Sequence, residues 1–404
     1  MEFLKVKSLE EAKEIALERV QPVGDVEEIP TQNGLGRVLA EEVVSPEDLP
    51  GFARAAMDGY AVRASDTFAA TREEPVALRR AGEVEMGEEP TRELCKGEAL
   101  AIHTGGALPK GADAVVMLEE TEASPQGVLI FSPVAPGANV IAEDEDLKGG
   151  ERLLLPGHRL RAQDIGALLG VGLTEIHVFR RVSVGVISTG DELVPPEGRP
   201  RPGQIRDINS YILACQVEEL GAEAVTYGII PDERAKLREA TERGLRECDL
   251  LLLSGGSSVG SRDLTLEVLE ELGEVLIHGL AIAPGKPTIF AWARGKPLVG
   301  LPGNPTSALI VVDRFVAPLI ERLSGLREPR SFKRPLLRAK LAKKVPSKVG
   351  REEFVRVRLV DGRAEPILAQ SGVISGLVRA DGLITIPAER EGLELGEEVL
   401  VELW

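Results

Sequence analysis

Apolar positions recur with helical spacing from Ser8 to Val20, with Leu9, Ala12, Ala16 and Val20 on one face and Ser8 with Glu11 in the form of a capping box. From Pro46 to Glu145 the pattern shortens to strand-like runs, Gly59–Arg63, Val76–Arg80, Ala99–Thr104, Ala114–Leu118 and Val128–Phe131, punctuated by Gly and Pro. These predict a small, barrel-like all-β lobe. Gln163–Leu169 predicts a short helix. From Val182 onward strands and helices alternate. Val182–Ile187, Ala224–Tyr227, Asp249–Leu253, Thr288–Trp292 and Pro297–Val299 read as strands. Asn209–Leu220, Glu233–Glu247, Leu264–Leu272 and Thr306–Leu323 read as helices. That alternation predicts a mainly parallel sheet covered on both faces. Ser324–Pro335 reads as a linker. The runs after it, Leu336–Ala342, Phe354–Val360, Leu383–Pro387 and Glu398–Leu403, predict a second small β lobe.

Composition narrows the class. The chain has 404 residues with 43% hydrophobic and 28% charged residues, enough for several cores and against a disordered or fibrous chain. Its formal charge of −17 opposes nonspecific association with nucleic acid or anionic lipid. Cys95, Cys215 and Cys248 are far apart and form no CxxC pair, which argues for a reducing compartment without a disulfide framework. The first twenty residues carry charges throughout and do not form a signal peptide, and the apolar run Leu250–Leu253 is too short to span a bilayer. A cytoplasmic protein is expected.

Three loops follow strands of the α/β region: Ser188-Thr189-Gly190-Asp191-Glu192-Leu193, Ser254-Gly255-Gly256-Ser257-Ser258-Val259-Gly260 and Gly300-Leu301-Pro302-Gly303-Asn304-Pro305. In an open parallel sheet ligands bind beyond the carboxyl ends of the strands. Glycines allow close backbone approach, and the following helices offer N–H groups to an anion. No loop matches the Walker or dinucleotide pattern, which disfavours an ordinary ATPase or dehydrogenase. Glu192, Asp232 and Asp263 cluster near the loops and suit Mg²⁺, which uses one or two carboxylates beside phosphate. Taken singly, Asp232 and Asp263 read as helix N-caps.

Several strings together resemble the molybdopterin molybdenumtransferase family, that of MoeA and the gephyrin E domain. They are Ala56-Met57-Asp58-Gly59-Tyr60-Ala61; Thr104-Gly105-Gly106 through Val115; Ser188 to Leu193; Gly203, Ile205, Asp207 and Asn209; Gly255 to Gly260; Pro284-Gly285-Lys286-Pro287; and Leu301 to Pro305. Arg351, Phe354, Arg356, Ser371 and Ser375 complete the match in the C-terminal lobe. The resemblance implies a multidomain α/β plus β protein. A discontinuous domain I (1–45 and 146–179) would carry the inserted β lobe (46–145), followed by a molybdopterin-binding α/β domain (180–326) and a C-terminal β barrel (327–404). It implies a homodimer that joins molybdate to adenylylated molybdopterin with Mg²⁺ present and AMP released, at a site shared between subunits. The molybdopterin adenylyltransferase is an expected partner.

By the same resemblance the catalytic residues are Asp58, Thr104, Asp146, Glu192, Asp232, Asp263, Lys286, Arg351 and Ser371. Glu192, Asp232 and Asp263 are the metal ligands. The substrate is held by Ser188, Thr189, Gly190, Gly255, Gly256, Ser257, Ser258, Gly260, Pro302, Gly303, Asn304 and Pro305. The chain departs from the family pattern at Ile141 and Asp144, before Asp146, at Ile208, and at Gly279 and Ala283, where lysines are common. Other readings stay open: a molybdopterin adenylyltransferase-like enzyme, a tungstate-preferring paralogue, a non-catalytic gephyrin-like scaffold, or an oxyanion-storage or cofactor-carrier protein.

Overall fold

The computed structural model describes residues 6–255, 264–327 and 334–404. Its largest core belongs to the α/β region. There β1 (Ser183–Thr189), α1 (Asn209–Glu219), β2 (Glu223–Ile230), α2 (Arg234–Glu247), β3 (Leu250–Ser254), α3 (Leu264–Leu272), β4 (Glu274–His278), β5 (Ile289–Ala293), β6 (Lys296–Leu301) and α4 (Pro305–Val311) follow one another. The sheet order is β2-β1-β3-β6-β5-β4. Alternate side chains of each strand enter different cores. Val184, Val186, Leu250, Leu252, Val299 and Leu301 pack in one with α1 and α4. Ile187, Leu251, Leu253 and Leu298 pack in the other with α2 and α3. Two-sided burial accounts for the near-continuous apolar runs.

The sheet is mixed. The four strands β2, β1, β3 and β6 are parallel, whereas β5 runs antiparallel to both of its neighbours, β6 and β4. The reversal follows from chain length. Only Arg294 and Gly295 separate β5 from β6, both at positive φ (51° and 78°), and a two-residue loop of that kind makes a hairpin but not a crossover. Strand β4 was not anticipated from the sequence.

The helix Leu9–Arg19 has Ser8 Oγ accepting from the Glu11 N–H at 3.2 Å, one half of the expected capping box. The Glu11 carboxylate pairs instead with Lys7. Leu9, Ala12 and Ala16 bury in the α/β core beside Val182 and Leu213. The expected single helix Thr306–Leu323 begins at Pro305 and carries a π turn, Val312–Val316, before its last segment Ala317–Leu323.

The N-terminal β lobe holds all five expected strands in one six-stranded sheet: Ala114–Met117, Gly59–Val62, Glu98–Ile102, Val76–Glu83, Gly127–Ile130 and Thr121–Ser124, in that order. The sheet runs from edge to edge without closing among the described residues, so the barrel-like expectation is corrected. Its two cores are made of small and branched aliphatic residues around Ala99, Val116 and Ile130, and around Ala61, Leu100 and Val115. In the C-terminal lobe Glu352–Val360, Arg363–Pro366, Leu336–Leu341, Glu398–Leu403 and Gly382–Ile386 pair in turn, and the last returns to the first, closing a five-stranded barrel. The short strand Ile282–Ala283 adds to its edge beside Glu352 and Glu353, joining the barrel to the α/β region.

Candidate active site

Because β1, β3 and β6 are parallel, their carboxyl ends meet on one edge, and so do the loops that follow. Ser188, Thr189 and Glu192 from the first loop, Ser254 and Gly255 from the second, and Gly303, Asn304 and Pro305 from the third line one cavity of about 310 Å³. Gly255 allows this convergence. Its φ is +107°, and a Cβ there would stand 2.1 Å from the Thr189 carbonyl oxygen, so any side chain would force the first two loops apart.

Side-chain bonds fix the loops. Ser188 Oγ donates to Asp207 Oδ1 at 3.2 Å and lies 2.8 Å from Ser210 Oγ. Asp207 also accepts from the Ser210 hydroxyl at 2.6 Å and from its N–H at 3.2 Å, which anchors the start of α1 to the end of β1. Asn209 spans the other two loops. Its Nδ2 donates to Ser254 Oγ and to the Gly303 carbonyl, both at 2.8 Å. Its Oδ1 is buried and has no hydrogen-bond partner among the described residues, an acceptor open to a ligand donor.

Asp232 is not a helix cap. Thr189 Oγ1 donates to its Oδ1 at 2.6 Å, while its own N–H donates to Asp191 Oδ1 at 3.1 Å. The N-cap of α2 is Glu233, without a side-chain bond. A carboxylate held by the hydroxyl of a cavity residue, with no duty at the helix, is free to face a cation or substrate. Among the described residues lining the cavity Arg206 is the one cation, and its Nε donates to the Pro196 carbonyl at 2.8 Å. Arg206 was not picked out by sequence, and Asp207 and Asn209 were quoted there only as part of a family string, with no role at the site assigned to either.

The remaining expected residues distribute as follows. Gly190 carries the first loop past Glu192, and Pro302 is buried behind the third. Gly256, Ser257, Ser258, Gly260 and Asp263 lie outside the described residues. Ser371 precedes Gly372, which lines the cavity, and lines a neighbouring cavity of about 270 Å³ with Ala283, Thr306 and Arg356. Arg351 donates from Nη2 to Glu353 Oε2 at 3.1 Å, on the barrel strand beside Ala283. Lys286 is exposed, in the turn between Ala283 and β5. Gly279 sits at φ +110°, so a lysine there would be strained, whereas Ala283 is in a strand that accepts one.

Asp58, Thr104 and Asp146 are not brought to this cavity within the chain. Asp58 and Thr104 meet each other in the β lobe. Asp58 Oδ1 accepts from the Thr104 N–H at 2.7 Å and from its hydroxyl at 2.9 Å. The first of these bonds, aided by the second and by His103, holds the Asp58 carboxyl below the usual carboxylate range. Asp146 is exposed, its N–H bonded to the Leu49 carbonyl at 3.0 Å. Among the described residues no group of three or more His, Cys, Asp or Glu side chains forms a metal cage. No helix of the described residues is long and apolar enough to cross a membrane.

An α/β sheet whose strand-end loops enclose the cavity, with a six-stranded β lobe and a closed β barrel elsewhere in the chain, makes this a multidomain α/β plus β protein. Residues 7–172 match the MoeA N-terminal region (domain I and II), residues 185–322 a probable molybdopterin binding domain and residues 338–404 the MoeA C-terminal region (domain IV). A putative molybdopterin biosynthesis protein of Methanocaldococcus jannaschii is 38% identical over 98% of this chain and 97% of its own. The molybdopterin molybdenumtransferase of Haemophilus influenzae is 34% identical over 98% of both. A crystal structure of a molybdopterin biosynthesis MoeA protein of Pyrococcus horikoshii is 43% identical, covers 99% of each chain and superposes with a TM-score of 0.82. The chain belongs to the MoeA family of molybdopterin molybdenumtransferases, enzymes of molybdenum cofactor biosynthesis.

Proposed function

We propose that this enzyme joins molybdate to adenylylated molybdopterin and releases AMP, and that the cavity at the ends of β1, β3 and β6 holds the adenylylated pterin. The observation that carries the reading is the convergence of three strand-end loops around Asn209, which ties two of them and keeps one buried acceptor oxygen without a partner among the described residues. Pterin and adenine both carry amino donors that fit such an acceptor. The Gly303 and Asn304 N–H groups of the third loop favour a phosphate. Arg206 adds a cation at the mouth.

Glu192 and Asp232 are the described residues suited to Mg²⁺, with Asp263 assigned by resemblance. Asp232 fits because its Oδ1 is oriented by Thr189 and its carboxylate caps no helix. Held there, a hard cation would supply charge neutralisation for the phosphate, and two protein carboxylates would suffice, since Mg²⁺ keeps waters. In the reaction a water oxygen adds to the adenylyl phosphorus, the bond from that phosphorus to the bridging oxygen breaks, and the bridging oxygen stays with the pterin's phosphate while AMP leaves carrying the oxygen of the water. The chain's part is to bind and orient the reactants, so no covalent nucleophile is required. Ser371, Lys286 and Arg351 belong to the molybdate side, next to the second cavity.

Asp58, Thr104 and Asp146 act from the other subunit of a homodimer in this reading. It keeps the four-part division given above, a cytoplasmic location and the adenylyltransferase as upstream partner. Purified protein incubated with adenylylated molybdopterin, Mg²⁺ and molybdate tests it. One AMP released per molybdenum cofactor formed supports transfer. ATP consumption instead would indicate adenylation, and neither product would indicate a scaffold or carrier.

A further inference from the structure

The helix that begins at Pro305 carries two charged side chains that the reaction as proposed does not use. Asp313 and Arg314 fall in its π turn, Val312–Val316. That turn has a local cause. Pro318 has no N–H to donate to the Arg314 carbonyl, and the Ala317 N–H bonds the Val312 carbonyl instead of one a residue nearer. A widened turn of this kind is uncommon in a helix and marks the place where the barrel meets the α/β region.

Asp313 is only 2% exposed. Its Oδ1 accepts from Arg334 Nη2 at 2.9 Å, just ahead of the first barrel strand, Leu336–Leu341. Its Oδ2 lies 3.1 Å from Arg314 Nε. Arg314 then reaches over to the barrel. Its Nη2 donates to Glu402 Oε2 at 2.6 Å, in the strand Glu398–Leu403. Its guanidinium also stands over the Phe354 ring, 4.9 Å from the centroid. Phe354 and Leu383 are barrel residues, yet their side chains pack in the α/β core with Val312 and Phe315. Burial pushes the Asp313 carboxyl up, and Arg314 and Arg334 counter that push. Removing one member of such a group strands a charge away from water, so the four act as a unit.

The second cavity takes Ala283, Pro284 and Thr306 from the α/β region, and Glu353, Phe354 and Val355 from the barrel. Its width therefore depends on how the barrel sits on the helix. A backbone tie runs beside it, where the Glu352 N–H donates to the Ala281 carbonyl at 2.9 Å. We infer that Asp313 and Arg314 are positioning residues, and that the π turn is an ionic joint that seats the barrel and sets the spacing between the two walls of the second cavity. The joint touches no substrate and acts through Phe354. Assigning that cavity to molybdate rests on the transfer reaction proposed above.

The test uses the full-length protein with Arg314→Met, Arg314→Lys, Glu402→Met and the double variant Arg314→Met/Glu402→Met. Arg314→Met keeps the stem against Phe354 and removes the charged fork. Its KM for molybdate should rise about fivefold, with KM for adenylylated molybdopterin changed less than about twofold, as for a wall moved on one side of the site. Arg314→Lys keeps the charge without the fork and should recover part of that loss. The double variant leaves neither charge of the pair stranded, so it should be no worse than the worse single variant. A lowered melting temperature with both KM values unchanged would overturn the inference, because the joint would then be structural support alone. Multiplying effects in the double variant would overturn it too. Amide hydrogen exchange without substrate separates this from failure of the transfer reading. Arg314→Met should speed exchange at the Glu352 N–H about tenfold, while Ala339 and Val399, paired inside the barrel, keep their protection. Unchanged exchange at Glu352, or equal acceleration inside the barrel, would overturn the joint even if wild-type protein made no cofactor at all.

Discussion

The α/β edge and the N-terminal β lobe carry functional candidates in opposite states of completion. At the α/β edge Ser188, Asp207, Asn209, Ser254 and Gly303 are tied to one another across three loops and enclose a cavity. In the β lobe Asp58 and Thr104 bond to each other and face outward, beside exposed Met57 and Leu118. Both arrangements are ordered by local hydrogen bonds. Only the first closes around a ligand-sized space within one chain. In the reading proposed above, the outward-facing pair serves the cavity of a second copy.

Mixing variants gives the largest effect and tests that contrast. Asp58→Ala and Asp232→Ala chains should each be nearly inactive alone. Co-refolded in equal amounts, they should regain about a quarter of the wild-type rate, since half the dimers are mixed and each holds one intact site. Mixed dimers as inactive as their parents would show that Asp58 serves its own chain. Asn209→Ala comes next. Loss of its two bonds should lower stability by about 1–2 kcal/mol in urea unfolding and weaken adenylylated-pterin binding far more than that stability loss explains. Normal binding would show that the loops hold their places without it.

The lobe's own electrostatics make a smaller effect. Asp58 has a depressed value in the folded protein, so it favours folding above the ordinary carboxylate range and loses that contribution as pH falls through its folded value. Thr104→Val removes one of the causes. The acid limb of the pH–rate profile should then move to higher pH, and acid unfolding should begin at higher pH. The smallest change is expected from Ala283→Lys, which places a cation in the strand beside the second cavity. It should lower the molybdate concentration for half-maximal rate, most clearly at low salt. No change would show that this strand does not face the oxyanion.

Much of the architecture was legible because two-sided burial leaves unbroken apolar runs such as Leu250–Leu253, and Gly-rich strand ends mark turns. Strand β4 escaped because Glu274-Val275-Leu276-Ile277-His278 follows α3 with only Gly273 between, where a Cβ would meet the Trp292 carbonyl at 2.3 Å. The antiparallel pair was signalled by Arg294-Gly295, a turn signal that alternation alone conceals. The three-loop edge was readable from spacing. The ties that fix it were not: Asn209 was legible as a helix start and as part of a family string, but its role as a tie depends on a partner 94 residues away. Asp232 looked like a cap because it stands just before a helix, and only Thr189, 43 residues distant, gives it another role.

The central claim is that the α/β edge binds and opens the adenylate with Asp232 as a working carboxylate. AMP release by Asp232→Asn, followed at low and high Mg²⁺ with melting temperature alongside, tests it most directly. Asparagine keeps the shape and can still accept from Thr189, but it offers a neutral oxygen to a hard cation. The account predicts an unchanged melting temperature, loss of most AMP release at low Mg²⁺, and partial recovery at high Mg²⁺. Near-normal release at low Mg²⁺ would contradict it.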